Sequence, residues 1–159
     1  MGWAGQPPVP TMAVMTITST HPDTANKRLV DSFIQELFTQ GDLSAADRYL
    51  SPAFVNHDPP FPGGPEDREG MRQAAALFRE ACPDWHSDLE QLVEEGDVVV
   101  ERFTARGTRT GGSLMGAPPT GAPLELKGVN IFRIEGGRIV ERWGRLDEAG
   151  LARQLGTSG

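Results

Sequence analysis

His57 stands between Asn56 and Asp58, at the end of a short extended piece and just before a Pro-rich loop. An imidazole with an ordinary pKa near 6.5 suits a general base at neutral pH. The same residue could instead tether the loop. Asp147 ends the last predicted strand, four residues after Trp143. Apolar walls would favour its neutral form and make it a usable acid or base. Aspartate is also a favoured helix N-cap, and Glu148-Ala149-Gly150-Leu151 follows it. Leu124, Leu126, Gly128, Asn130, Phe132 and Ile134 share one face of a strand, on which Asn130 is the lone polar side chain. A buried amide left without a partner costs roughly 1–3 kcal/mol, so Asn130 needs a ligand carbonyl or a neighbouring backbone group. Phe132 and Trp143 offer flat faces to an aromatic guest, against the alternative of plain packing. Arg109, which alternation puts opposite Arg102 and Arg106, could hold a carboxylate or an enolate, or could simply be solvated.

Other chemistries find little support. His86, Asp88 and Glu90 alternate as metal ligands might be spaced, but they read as the wet face of a half-buried strand, and no metal site is expected. The single cysteine, Cys82, lies on an apolar stripe and reads as core. Gly107, Gly111, Gly112, Gly116 and Gly121 fall between strands rather than between a strand and a helix, so they form no phosphate loop. No flavin or haem pattern is present, and the chemistry is expected to need no cofactor. The 159 residues carry 22 Asp+Glu against 15 Lys+Arg, a formal charge of −7. Without a basic tract this balance argues against nucleic acid and anionic membrane surfaces. No apolar run approaches the roughly 18 residues of a membrane span. The first twenty residues have no basic start and are broken by Pro7, Pro8 and Pro10, so no signal peptide is read and a cytoplasmic protein is expected.

The elements that must position these residues follow from periodicity. Leu29, Val30, Phe33, Ile34, Leu37 and Phe38 recur at helical spacing from Asn26, and Gly41 is the expected C-cap. Ser44-Ala45-Ala46-Asp47 resembles a capping box opening a short helix that Pro52 stops. Phe54 to His57 is extended, and Asp58 to Pro65 is too rich in Pro and Gly for regular structure. A third helix spans roughly Glu66 to Ala81, with Met71, Ala74, Ala75, Phe78 and Cys82 as its stripe. The period then becomes two. Trp85–Glu94, Val98–Thr110, Leu124–Glu135 and Arg138–Leu146 read as strands, with turns at Gly96-Asp97 and Gly136-Gly137. On the last strand, alternation does not choose between the even set (Arg138, Val140, Arg142, Gly144) and the odd one, and a bulge would mix them. Glu148 to Leu155 gives a terminal helix. Helices followed by strands indicate an α+β fold. The division predicted is a disordered arm over residues 1–22 and a single domain over 23–159.

Three stretches together resemble the SnoaL-like polyketide cyclases of the nuclear-transport-factor-2-like superfamily. They are the opening NKRLVDSFIQELFTQGDLSAADRYLSPAFVNHDP, the connection Leu114-Met115-Gly116-Ala117-Pro118-Pro119-Thr120-Gly121, and the run from Gly128 to Trp143 and on to Asp147. The resemblance covers about residues 26 to 156. It implies a cone-shaped α+β barrel, a curved antiparallel sheet wrapped around three N-terminal helices, with a hydrophobic aromatic small molecule as substrate. It also implies cofactor-free ring closure by intramolecular aldol condensation. Carried over by position, the family's asparagine falls on Asn56, its strand histidine on Asn130, its acid/base aspartate on Gly144, and a neighbouring aspartate on Asp147. The position that moves the proton in the cyclases therefore has no side chain here. His57 and Asp147 are then the expected proton carriers, with Asn56, Asn130, Phe132, Trp143 and Arg109 contacting the substrate. Related family members are thought to hydroxylate such polyketides, which makes hydroxylation with a separate reductase the alternative. A non-catalytic small-molecule-binding dimer is the third. Val129 and Ile131, apolar on the convex face, ask to be covered and predict a homodimer through the sheet.

Overall fold

The computed structural model of the chain describes residues 22–156. The arm predicted over residues 1–22 lies outside the described residues save for Pro22. The first helix, α1 (Ala25–Ile34), is opened by Thr24, whose side chain accepts from Lys27 N at 3.2 Å. It runs on as a π-helical turn over Gln35–Thr39. Its end is closed less by Gly41 than by Arg79, which donates to the carbonyls of Phe38 (3.3 Å) and Thr39 (2.6 Å). Gly41, at φ +74°, leaves the room through which the Arg79 side chain passes. Helix α2 (Ala45–Tyr49) forms without the expected capping box. Ser44 is already helical, so its hydroxyl turns away and donates to Asp42 Oδ1 at 2.6 Å instead. Strand β1 (Leu50–Asn56) begins before Pro52 and includes it. As an edge strand, β1 can carry a residue with no N–H to donate.

Helix α3 (Arg68–Ala81) starts at Asp67, whose carboxylate accepts from Glu69 N and Gly70 N. Four strands follow: β2 (His86–Glu95), β3 (Val98–Thr108), β4 (Pro123–Glu135) and β5 (Arg138–Leu146). The chain ends in α4 (Glu148–Leu155), closed by Gly156 at φ +72°. The five strands make one curved sheet in the order β1-β5-β4-β3-β2. It is antiparallel except at its edge, where β1 runs parallel to β5. The β4–β5 turn has positive φ at both Gly136 and Gly137, as a two-residue hairpin requires.

The inner face of the sheet packs two separate apolar clusters. One joins α1, α2 and the turn end of the β4–β5 hairpin through Val30, Phe33, Leu37, Val99, Phe132 and Ile139. The other joins the end of α3, the start of β4 and α4 through Phe78, Trp85, Phe103, Leu124, Leu126 and Leu151. On β3 and β4 the division falls at Glu101 and Asn130, which face one another across the ladder. On the outer face, Val93, Val100, Ile131 and Trp143 form one apolar rung across four strands, with Val93 48% and Ile131 36% exposed. Among the described residues no helix is long and apolar enough to cross a membrane.

Candidate functional site

Between the two clusters lies a cavity. Its apolar lining includes Ile34, Phe38, Met71, Phe78, Trp85, Phe103 and Leu126, with Pro60 of the Pro-rich loop at its border. Glu101, Asn130 and Arg142 enter it from β3, β4 and β5, and Ser87 from β2. The room it leaves for the centres of water molecules is about 50 Å³. That holds a few waters, so a ring-bearing guest must displace some of the lining.

Register explains how three polar groups meet in an apolar cup. Glu101, Asn130 and Gly144 occupy one rung across β3, β4 and β5. Arg142 stands two residues from Gly144 on the same inner face, because a bulge at Val140 shifts the parity of β5. Ile139 pairs with Ile134 before the bulge and Arg142 with Phe132 after it, so an odd and an even position both point inward. A side chain at Gly144 would strike the Arg142 guanidinium, its Cβ standing 2.7 Å from Arg142 Cζ. The missing side chain is what lets the arginine fold across the rung. We expect Gly144→Ala to force the guanidinium off its partners and cost about 1–3 kcal/mol, read as a lower Tm.

The hydrogen bonds form a chain. Asn130 Nδ2 donates to Glu101 Oε2 at 2.9 Å. Asn130 Oδ1 accepts from Arg142 Nε at 2.9 Å and Nη2 at 2.7 Å. Arg142 Nη1 donates to Asn56 Oδ1 at 2.9 Å and to the Asp58 carbonyl at 2.8 Å. Glu101, Asn130, Arg142 and Asn56 are all buried. Burial in the apolar cup pushes the Glu101 carboxyl up to about 7, against the opposing pull of the Asn130 amide and the Arg142 charge. Burial likewise lowers Arg142, to about 10, so it remains a cation at neutral pH. A carboxyl that exchanges its proton near pH 7 and a fixed cation, bridged by an amide, are the parts of an acid/base site.

The residues expected from the sequence divide. Asn130 is on the cavity wall, and Asn56 stands behind it, holding Arg142 while its own Nδ2 faces Met71 Sδ at 3.4 Å. The two expected proton carriers lie elsewhere. His57 is exposed on the outer side, its ring stacked on Trp143 at 4.8 Å and its Nε2 3.2 Å from Glu141 Oε1. Trp143 faces outward because its neighbour Arg142 faces inward. Asp147 is exposed and caps α4, accepting from Gly150 N at 2.9 Å. Asp147→Ala is expected to cost about 1 kcal/mol in chemical denaturation, as a lost cap does. Phe132 is fully buried, edge-on to Phe33 at 6.1 Å, in the cluster beneath α1 rather than on the cavity. Arg109 is buried but spends its guanidinium on the Pro118 carbonyl (2.7 Å) and the Gln154 carbonyl (3.4 Å).

Glu101 and Arg142 are not singled out in the sequence reading. For Glu101 the signal exists: Val99, Glu101, Phe103 and Ala105 alternate on one apolar face, and Glu101 is its lone charge, as Asn130 is on β4. For Arg142 no local signal exists, since the bulge that turns it inward is a property of strand pairing.

A family model described as SnoaL-like polyketide cyclase matches residues 28–155. Among solved structures, the chain is 34% identical to IdmH from Streptomyces antibioticus, named a candidate polyketide cyclase, with a TM-score of 0.68, over 82% of this chain and 98% of that one. It is 32% identical to TsrD from Streptomyces laurentii, with a TM-score of 0.73, over 84% of this chain and 96% of that one. It is 25% identical to AclR from Streptomyces galilaeus, named a candidate hydroxylase, with a TM-score of 0.73, over 84% of this chain and 97% of that one. No curated protein matches the chain.

Proposed function

The chain belongs to the SnoaL-like polyketide cyclase family, and from that premise we propose that it is an enzyme closing a ring in a polyketide-derived small molecule by acid/base chemistry in its apolar cavity. The observation that carries this reading is Glu101: a fully buried carboxyl on the cavity wall whose proton exchanges near pH 7. In the reaction, the Glu101 carboxylate takes a proton from the carbon beside a carbonyl. The resulting enolate carbon attacks a second carbonyl of the same molecule, forming the C–C bond. The new alkoxide then recovers the proton from Glu101, so atoms balance and the product is an isomer. Arg142 supplies fixed positive charge to the enolate, where such charge is worth most in a dry site. Asn130 couples the two and holds the carboxyl in place. The outer apolar rung through Val93, Val100, Ile131 and Trp143 supports a homodimer through the sheet, and sedimentation as a monomer alone would exclude it.

One observation favours a second reading on the same guest. Gly144 carries no carboxyl, and Arg142 fills its place, so a guest anion would be held for attack by oxygen rather than reprotonated. Parallel incubations of a linear aromatic polyketide, one strictly anaerobic and one with dioxygen and a reductase, separate the two. A ring-closed product of unchanged mass supports cyclisation. Gain of one oxygen atom, dependent on dioxygen and a reductase, replaces it with hydroxylation.

A further inference from the structure

The polar end of the cavity is built unevenly. Arg142 places a positive charge there, yet among the described residues no carboxylate touches it: the Asn130 amide stands between Arg142 and Glu101. The other nearby anion, Asp58, turns its carboxylate away to Gly144 N at 3.0 Å and to Arg145 at 2.7 Å. Four of the five guanidinium N–H groups are spent on Asn130, Asn56 and the Asp58 carbonyl, leaving one on Nη2. On the carboxyl side, Asn130 occupies Glu101 Oε2, and Oε1 takes no hydrogen bond from the described residues. The remaining lining is apolar apart from Ser87. Among the described residues, one cationic donor and one carboxyl oxygen of this apolar cup are therefore left without a partner.

We infer that this cavity is a receptor for organic monoanions, in which Arg142 and the acid form of Glu101 donate jointly to one anionic oxygen. The inference rests on the cavity being the guest site of the proposed function, and it narrows the substrate class. The anion held by protonated Glu101 is the state that proton abstraction creates. The guest that enters neutral and becomes this anion inside is therefore an acidic 1,3-dicarbonyl compound. A ring-bearing carboxylate, which is already anionic, acts as a stable imitation of the enolate and binds as an inhibitor. The charges facing Glu101 are Arg142 from β5 and Asp31 from α1. Its β4 neighbour is the neutral Asn130, and α3 contributes Met71, Ala74 and Phe78 to the cavity. Burial raises the Glu101 carboxyl to about 7, within pH 6 to 8.5, and also raises Asp31 from the ordinary carboxylate value, while Arg142 stays a cation.

The test uses 2-naphthoate and its neutral isostere 2-naphthamide as probes, with calorimetry on the unmodified protein and on Glu101→Gln. Naphthoate is ionised throughout this pH range, so any pH dependence belongs to the protein. At pH 6 naphthoate is expected to bind at least roughly tenfold more tightly than naphthamide, with proton uptake that grows as pH approaches 7. Above pH 7 its Kd is expected to weaken by roughly tenfold per pH unit, as one linked proton requires. In Glu101→Gln the amide N–H replaces the acid O–H, so naphthoate binding persists and its pH dependence disappears. Equal or better binding of naphthamide, or a flat naphthoate profile in the unmodified protein, overturns the inference while leaving acid/base turnover by Glu101 standing. If neither probe binds at either pH, both the inference and the cavity as guest site fall together.

Discussion

Glu101→Gln is expected to lower kcat/KM by about 10²–10⁴-fold, the share that a positioned general base supplies. The substitution keeps size and shape, and its amide oxygen still accepts from Asn130 Nδ2, the bond that Glu101 Oε2 makes at 2.9 Å. What is lost is the exchangeable proton. The unmodified protein should show kcat/KM rising with pH through about 7 and levelling above it, because the carboxylate is the active form. The residual activity of the variant should lack that limb. Stability moves the opposite way and separates chemistry from folding. The Glu101 carboxyl is raised from 4.5 to about 7 in the fold. A group raised on folding contributes stability below its unfolded value and loses it as pH rises through the folded value. Over pH 4.5 to 7 the unmodified protein should therefore lose on the order of 3 kcal/mol through this group. Gln has nothing to ionise. Its Tm relative to the unmodified protein should climb between pH 5 and pH 8. A variant less active and relatively more stable at pH 8 identifies a carboxyl kept in place for its chemistry. Full turnover in Glu101→Gln would remove Glu101 from the mechanism.

The second large effect belongs to Arg142→Met. Methionine fills much of the aliphatic volume but makes none of the four hydrogen bonds that run to Asn130, Asn56 and the Asp58 carbonyl. Asn130 Oδ1 would lose both of its donors, and Glu101 would lose the cation that opposes its desolvation. Removing one partner of a buried charged network typically costs about 3–5 kcal/mol. For a chain of this size that is a fall in Tm of roughly 10 °C. The loss should be largest above pH 7, where Glu101 must ionise without its neighbour, and smaller at pH 5, where it stays protonated. The double variant Arg142→Met with Glu101→Gln should recover part of the stability, since it no longer buries an unpaired carboxylate. Equal Tm values for the single variant and the unmodified protein at pH 8 would show that the network carries no net stability.

Much of this architecture could be read along the chain. The apolar spacing from Leu29 to Phe38, the alternation on β4 and the paired glycines at 136 and 137 are local patterns, each tied to one repeat or one turn. They specify the helices, the hairpin and the α+β order. Asn130 was legible for the same reason, because a lone amide on an apolar stripe needs only the period of two to be noticed. Glu101 obeys the same rule on β3. Caps were readable less surely: Asp147 shows the chemistry of an acid and of an N-cap alike, and only the position of Gly150 N decided for the cap.

What the fold alone decided was which side of β5 faces the cavity. The bulge at Val140 comes from pairing with β4 across the hairpin, so no window on β5 contains it. By shifting the parity it brings Arg142 inward and sends Trp143 outward, where it meets His57 from β1. The absence of a side chain at Gly144 then matters only because Arg142 is beside it to use the space. Sequence determines what each strand can present to either face. The partner strand determines which face is the inside, because register is a property of two chains of hydrogen bonds and not of one.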